Sequence, residues 1–285
     1  MQTTDDYLWF NNRTDEKLVR EKIEKQQKTL KSLTVSNQSF LQNGHFRGLV
    51  LPELQELVVP SLFYFDNPEG WQFLHGLQHL KILVAEYTEG KDSILDGLCQ
   101  APWWERLTQL ELKFANLKGT TKWSRLWRGK SLELKVLCLF YLDCQQAEQV
   151  LESNLDKLEY LIMGSDLGQD FLLKLAKKEL PTLADLDLSH SNIGLEETLK
   201  FLKEPRPGLP NLKRFRKRIV GEERIEHYDW DGSPVDWGYR ELSDREIQTS
   251  YFENTGLKVL PANEQLNSRT AMMAGNLRRL ERPPQ

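Results

Sequence analysis

The side chains best suited to chemistry fall in a few short stretches. Asp187, Ser189 and His190 are the residue types of a hydrolase triad, packed into four consecutive positions. A triad needs Ser–His and His–Asp contacts assembled from separate elements, so polar residues on one extended stretch read as positions on a strand face. SRLWRGKS (124–131) ends like a phosphate-binding loop. Its first glycine is missing and Trp127 sits inside it, and backbone cradling of phosphate needs those glycines. His75 and His79 are four apart, but no Glu takes the HExxH position and no third ligand is evident, so they read as histidines on a solvated turn. Asp229, Asp231 and Gly232 begin like a calcium loop, yet the third acidic position is missing and Arg240 stands where the closing Glu belongs. Cys99, Cys138 and Cys144 are an odd, sparse set, which suits reduced thiols and not a disulfide framework. No catalytic constellation emerges, and the expectation is a non-enzymatic chain with no cofactor, no metal and no small-molecule substrate.

Composition narrows the classes further. Of the 285 residues, 28% are charged and 39% apolar, thin for a thick globular core but adequate for a narrow one shared along an array. A net charge of −4 gives no global attraction to nucleic acid or an anionic membrane. No apolar run approaches the ~18–20 residues of a membrane span. MQTTDDYLWFNN, with neither a basic n-region nor an apolar h-region, does not read as a secretory signal. With the reduced thiols, this places the expected chain in the cytoplasm, with no membrane partner.

What positions these residues is a repeat. Residues 183–194 read LADLDLSHSNIG, with Leu183, Leu186 and Leu188 spaced three and then two apart. The same spacing of apolar residues starts at Leu30, Leu54, Leu80, Leu107, Leu134 and Leu158, and imperfectly at Leu212, where Lys217 takes the third apolar position. Successive starts are 24, 26, 27, 27, 24, 25 and 29 residues apart. Self-similarity at such a period marks a repeat architecture. The last two apolar residues of each unit share one face of a strand. Several second halves look helical: Phe171, Leu172 and Leu175 after Gly168, QQAEQVLE (145–152), and Leu195, Leu199 and Leu202 before Pro205.

Over residues 30–221 the chain resembles the leucine-rich repeat family, in its strand–helix variety similar to ribonuclease inhibitor. The family's Asn is recognisable at Asn192 and displaced at Asn116, while most units lack it. The resemblance implies an α/β fold: a right-handed curved solenoid, with a parallel sheet on the concave face, helices and loops on the convex face, and caps at both ends. Some bacterial members of the family carry a ubiquitin-ligase domain. No cysteine follows Cys144 here, so that activity is not expected.

The division that follows is a helical cap over 1–29, about eight repeats over 30–221, and an acidic, aromatic cap over 222–285. In TDEKLVREKIEKQQKT (14–29), Thr14 is the candidate N-cap, and Leu18 and Ile23 the apolar contacts. Residues 226–264 hold nine acidic and three basic side chains, with Tyr228, Trp230, Trp237, Tyr239, Tyr251 and Phe252, too many large rings for a disordered acidic tail. They are expected to fold back on the last repeats, with the final residues fraying.

Function is then expected in the non-leucine strand positions. Leu137 and Leu186 should be buried, and Lys135 and Asp185 exposed. Between the last two apolar positions lie Thr34, Val58, Val84, Glu111, Cys138, Ile162, Asp187 and Arg216. The apolar centre, Val58, Ile82, Val84, Val136, Cys138, Phe140, Tyr160 and Ile162, is the expected surface for a protein partner. Lys213, Arg214, Arg216 and Arg218 are a candidate anion site, weighed against neutralisation by the acidic segment downstream. The composition argues against nucleic acid. The alternatives are a nucleic-acid or enzyme-associated regulatory module working through 213–218, and a bacterial effector or inhibitor, which rests on fold analogy alone.

Overall fold

The structure, a computed structural model, describes residues 6–11, 13–115, 122–168, 170–194, 197–198, 200–201, 205–216 and 258–259. Ten strands form one parallel sheet whose spatial order is the chain order. They are β1 Tyr7–Phe10, β2 Ser32–Val35, β3 Glu56–Ser61, β4 Ile82–Glu89, β5 Gln109–Ala115, β6 Val136–Leu142, β7 Tyr160–Ser165, β8 Asp185–Ser191, β9 Arg214–Arg216 and β10 Lys258–Val259. Among the described residues the connections hold α1 Glu16–Gln26, α2 Gln38–Gln42, α3 Pro68–His75, α4 Asp92–Gln100, α5 Trp123–Trp127, α6 Cys144–Val150 and α7 Phe171–Lys177, with further helical residues at 197–198 and 200–201. No helix among the described residues is long and apolar enough to cross a membrane.

The repeat is visible in the backbone itself. Just before each strand, one carbonyl accepts from two consecutive amides of the next unit. Lys31 O takes Gln55 N and Glu56 N, Lys81 O takes Thr108 N and Gln109 N, and Glu159 O takes Ala184 N and Asp185 N, all between 2.8 and 3.1 Å. The device also operates at Gln55, Thr108, Lys135 and Ala184. Strand pairing therefore begins at the same place from unit to unit between β1 and β9, and this aligns the leucines. Leu33, Leu57, Leu83, Leu110, Leu137, Leu161, Leu186 and Phe215 form one row by register. All eight are buried, as are the template residues from Leu30 to Leu188. The helices close over this side: Leu74, Ile94, Leu98, Leu126, Val150 and Phe171 join the strand leucines in one core.

The short helices need local help, because nucleation is costly and few intrahelical bonds repay it. Asn37 accepts Phe40 N, and Asn67 accepts Gly70 N just before Pro68. Asp143 and Gln146 form a reciprocal capping box at the start of α6. Trp103, Trp104 and Trp123 each donate an indole N–H to a carbonyl of a neighbouring unit (Leu74, Leu126 and Gln146), tying successive connections together.

The ends differ from expectation in detail. Ahead of α1, residues 7–10 form β1, with Leu8 and Phe10 buried beside Leu33 and Val35. The helix N-cap is Asp15, which accepts from Lys17 N and Leu18 N, and not Thr14. Val19 and Ile23, four apart, face the core, and Leu18 points outward. At the other end, Lys258 and Val259 pair in parallel with Arg214 and Phe215 of β9. The rest of 226–264, with its aromatic residues and the calcium-loop positions, lies outside the described residues, as do Asn116, Leu195, Leu199 and Leu202.

Candidate protein-binding face

The side of the sheet opposite the helices is built from the residues between the leucines. Two rows cross it by register. One runs Ser32, Glu56, Ile82, Gln109, Val136, Tyr160, Asp185, Arg214. The other runs Trp9, Thr34, Val58, Val84, Glu111, Cys138, Ile162, Asp187. Val58, Ile82, Val136, Phe140, Tyr160 and Ile162 are half-buried. Val84 and Cys138, 7% and 5% exposed, are covered more completely by their neighbours. The eight candidate residues thus share one face, but they do not form an unbroken patch. Strand β5 runs through it as a polar stripe, with Gln109 between Ile82 and Val136 and Glu111 between Val84 and Cys138. Burial raises the Glu111 carboxyl above the ordinary carboxylate range; Lys113 opposes this and Glu86 adds to it.

Toward the C-terminal ends of the strands the face becomes aromatic and irregular. Register shifts interrupt β4–β5, β6–β7 and β7–β8. In β6 the extra residue is Tyr141, at φ 63° and 66% exposed. A bulky side chain rarely adopts that backbone, at a cost of about 1–3 kcal/mol, and such strain collects at functional surfaces. Tyr87, beside the β4 irregularity, is also exposed. Phe140 packs at 5.7 Å on His190, and the Lys113 ammonium lies 5.8 Å over its ring. Gly164 makes this possible: a Cβ there would sit 2.7 Å from His190 Cβ and 2.8 Å from Phe140 Cδ1. Sequence reading missed Tyr87, Tyr141 and His190 as neighbours of the patch. A bulge shifts the two-residue period, and periodicity was the signal being followed.

The far end of the face is polar, and it corrects one expectation. Lys135 is exposed, but Asp185 is only 8% exposed. Register places Arg214 directly beside it, and Arg214 Nη2 donates to Asp185 Oδ2 at 2.6 Å. That bond is the main reason the guanidinium is held above its ordinary range, with a smaller part from Tyr160. Arg214 is therefore committed within the sheet. Its compensation comes from the preceding strand. Of the candidate anion site, Lys213 is exposed, whereas the Arg216 side chain and Arg218 lie outside the described residues.

The other chemical residues are placed as follows. Asp187 and His190 lie three apart along β8, with the Ser189 side chain outside the described residues. Ser124–Trp127 belong to α5, and Trp127 is buried. His75 is not on a solvated turn: it ends α3, its Nε2 2.9 Å from Gly97 O and its ring against Trp71, whereas His79 is exposed. Burial raises the Cys99 and Cys144 thiols, opposite to the activated thiolate a cysteine nucleophile needs. Among the described residues no cluster of three His, Cys, Asp or Glu could hold a metal ion. No protein-family model matches the chain, and no curated protein matches it in sequence.

Proposed function

We propose that the chain is a non-catalytic protein-binding scaffold of leucine-rich repeat type, curved so that the strand face lines its concave side, and that it holds a partner protein there. The observation that carries this reading is the row structure of the sheet. One side is filled by a continuous leucine row. The other presents six half-exposed apolar and aromatic side chains that the leucine core does not need. Apolar patches with aromatic anchors and a polar rim are how interfaces are built. The three cysteines form no disulfide, which fits a reducing, cytoplasmic setting.

The test is affinity capture with the full chain beside a Phe140→Ala/Ile162→Ala variant. Interface energy concentrates in a few anchors of about 2 kcal/mol or more, so the variant should lose about thirtyfold or more in affinity for the captured protein. Capture of the same partner at unchanged strength by the folded variant would overturn the proposal. So would turnover in a broad hydrolase and nucleotide screen that a single polar substitution abolishes.

A further inference from the structure

We propose that Glu111 is the specificity determinant of this face, and that the partner presents a Lys or Arg flanked by apolar side chains, the cation meeting Glu111 and its neighbours covering the apolar strands on either side. The assignment rests on the binding role proposed above. Its basis is the contrast between β5 and the strands beside it. β4 and β6 bring Ile82, Val84, Val136 and Cys138 to the face. Between them β5 brings Gln109 and Glu111, and among the described residues neither side chain has a hydrogen-bond partner or an ion pair. Lys113 is two residues along and leans over Phe140. A carboxylate so placed gives up hydration, and the nearby Lys113 recovers only part of it inside the chain. The free protein bears that cost, and a donor cation delivered by a partner removes it.

Charge decides which occupant fits. Residues 226–264 of the chain itself carry nine acidic and three basic side chains, and would bring like charge to Glu111 and Glu86. A second copy docked face to face would oppose one Glu111 to another. A basic residue set between apolar ones complements both the carboxylate and the walls beside it. A carboxylate–cation bond that forms only in the complex gives selectivity for the charge as well as affinity.

The experiment pans a displayed library of short random peptides on the full chain and on Glu111→Lys. Wild type should enrich peptides with Lys or Arg between apolar residues, and Glu111→Lys should move the preference at that place to Asp or Glu. A synthetic peptide selected on wild type should bind Glu111→Gln about tenfold more weakly, which is the scale of one charged hydrogen bond. Meanwhile Glu111→Gln should unfold at a temperature no lower than wild type. A residue of purely structural importance would not give that combination. No enrichment, or enrichment of neutral or acidic peptides by wild type, overturns the proposal. Selected peptides that lose affinity for Phe140→Ala/Ile162→Ala but not for Glu111→Gln overturn the role of Glu111 and leave the binding face standing. Peptides indifferent to both sets of changes overturn both.

Discussion

The two sides of the sheet are made by alternate residues of the same strands, yet they follow different rules. On the helix side the β2–β8 rows read leucine with a few Val, Ala and Met, and every member is buried. On the opposite side the positions one residue away change from Thr34 to Val58, Glu111, Cys138, Ile162 and Asp187. A stacked array needs each unit to match its neighbours only on the side that closes the core. The other side is left free to vary, and that is where recognition can be written. Substitutions on the two sides should therefore separate stability from binding.

Leu186→Asp should give the largest effect. A carboxylate forced among Leu161, Leu188 and Phe215 has no partner, and the cost should be about 3–5 kcal/mol in denaturant unfolding. A loss below 1 kcal/mol, within the range of ordinary surface changes, would break the contrast between the sides. Asp185→Ala probes a buried acid on the open side. It strands the Arg214 guanidinium, but that side chain is 43% exposed and water takes up part of the loss, so about 1–2 kcal/mol is expected. Phe140→Ala removes a half-buried ring and should cost about 1 kcal/mol or less, while partner affinity falls much further.

Glu111→Gln should have the smallest effect on stability, and in the opposite direction. The folded-state pKa of Glu111 lies above its ordinary value, so ionisation costs the fold stability at neutral pH and nothing once both states are protonated. The glutamine variant should be the more stable of the two near pH 7. The gap should close as pH falls through the raised value toward the ordinary carboxylate range. Paired thermal melts at neutral and acidic pH would show it, and a glutamine variant less stable than wild type at neutral pH would contradict the burial argument.

How far the sequence was legible follows from which signals repeat. The strands after β1 up to β9 could be placed because Leu-x-x-Leu-x-Leu recurs with enough copies to fix the register. β1 has only Leu8 and Phe10, with Asp5 in place of the first apolar residue, so it fell below that template. β10 is two residues long and carries no pattern of its own. Asp185 looked outward because period-2 alternation put it there. What buries it is Arg214, 29 residues away and brought alongside only by register. The same holds for the face as a whole. Its residues could be read off by alternation, whereas the Tyr141 bulge and the space Gly164 leaves for Phe140 are backbone features with no composition cue.

The most direct test of the division between the two sides is methyl NMR of the full chain with a soluble paramagnetic cosolute, which broadens signals in proportion to their access to solvent. The methyls of Val58, Ile82, Val136 and Ile162 should broaden strongly, and those of Leu110, Leu137, Leu161 and Leu186 should remain sharp. Equal protection of both sets would mean that the strand face is covered in the free protein, and would contradict the proposed open surface for a partner.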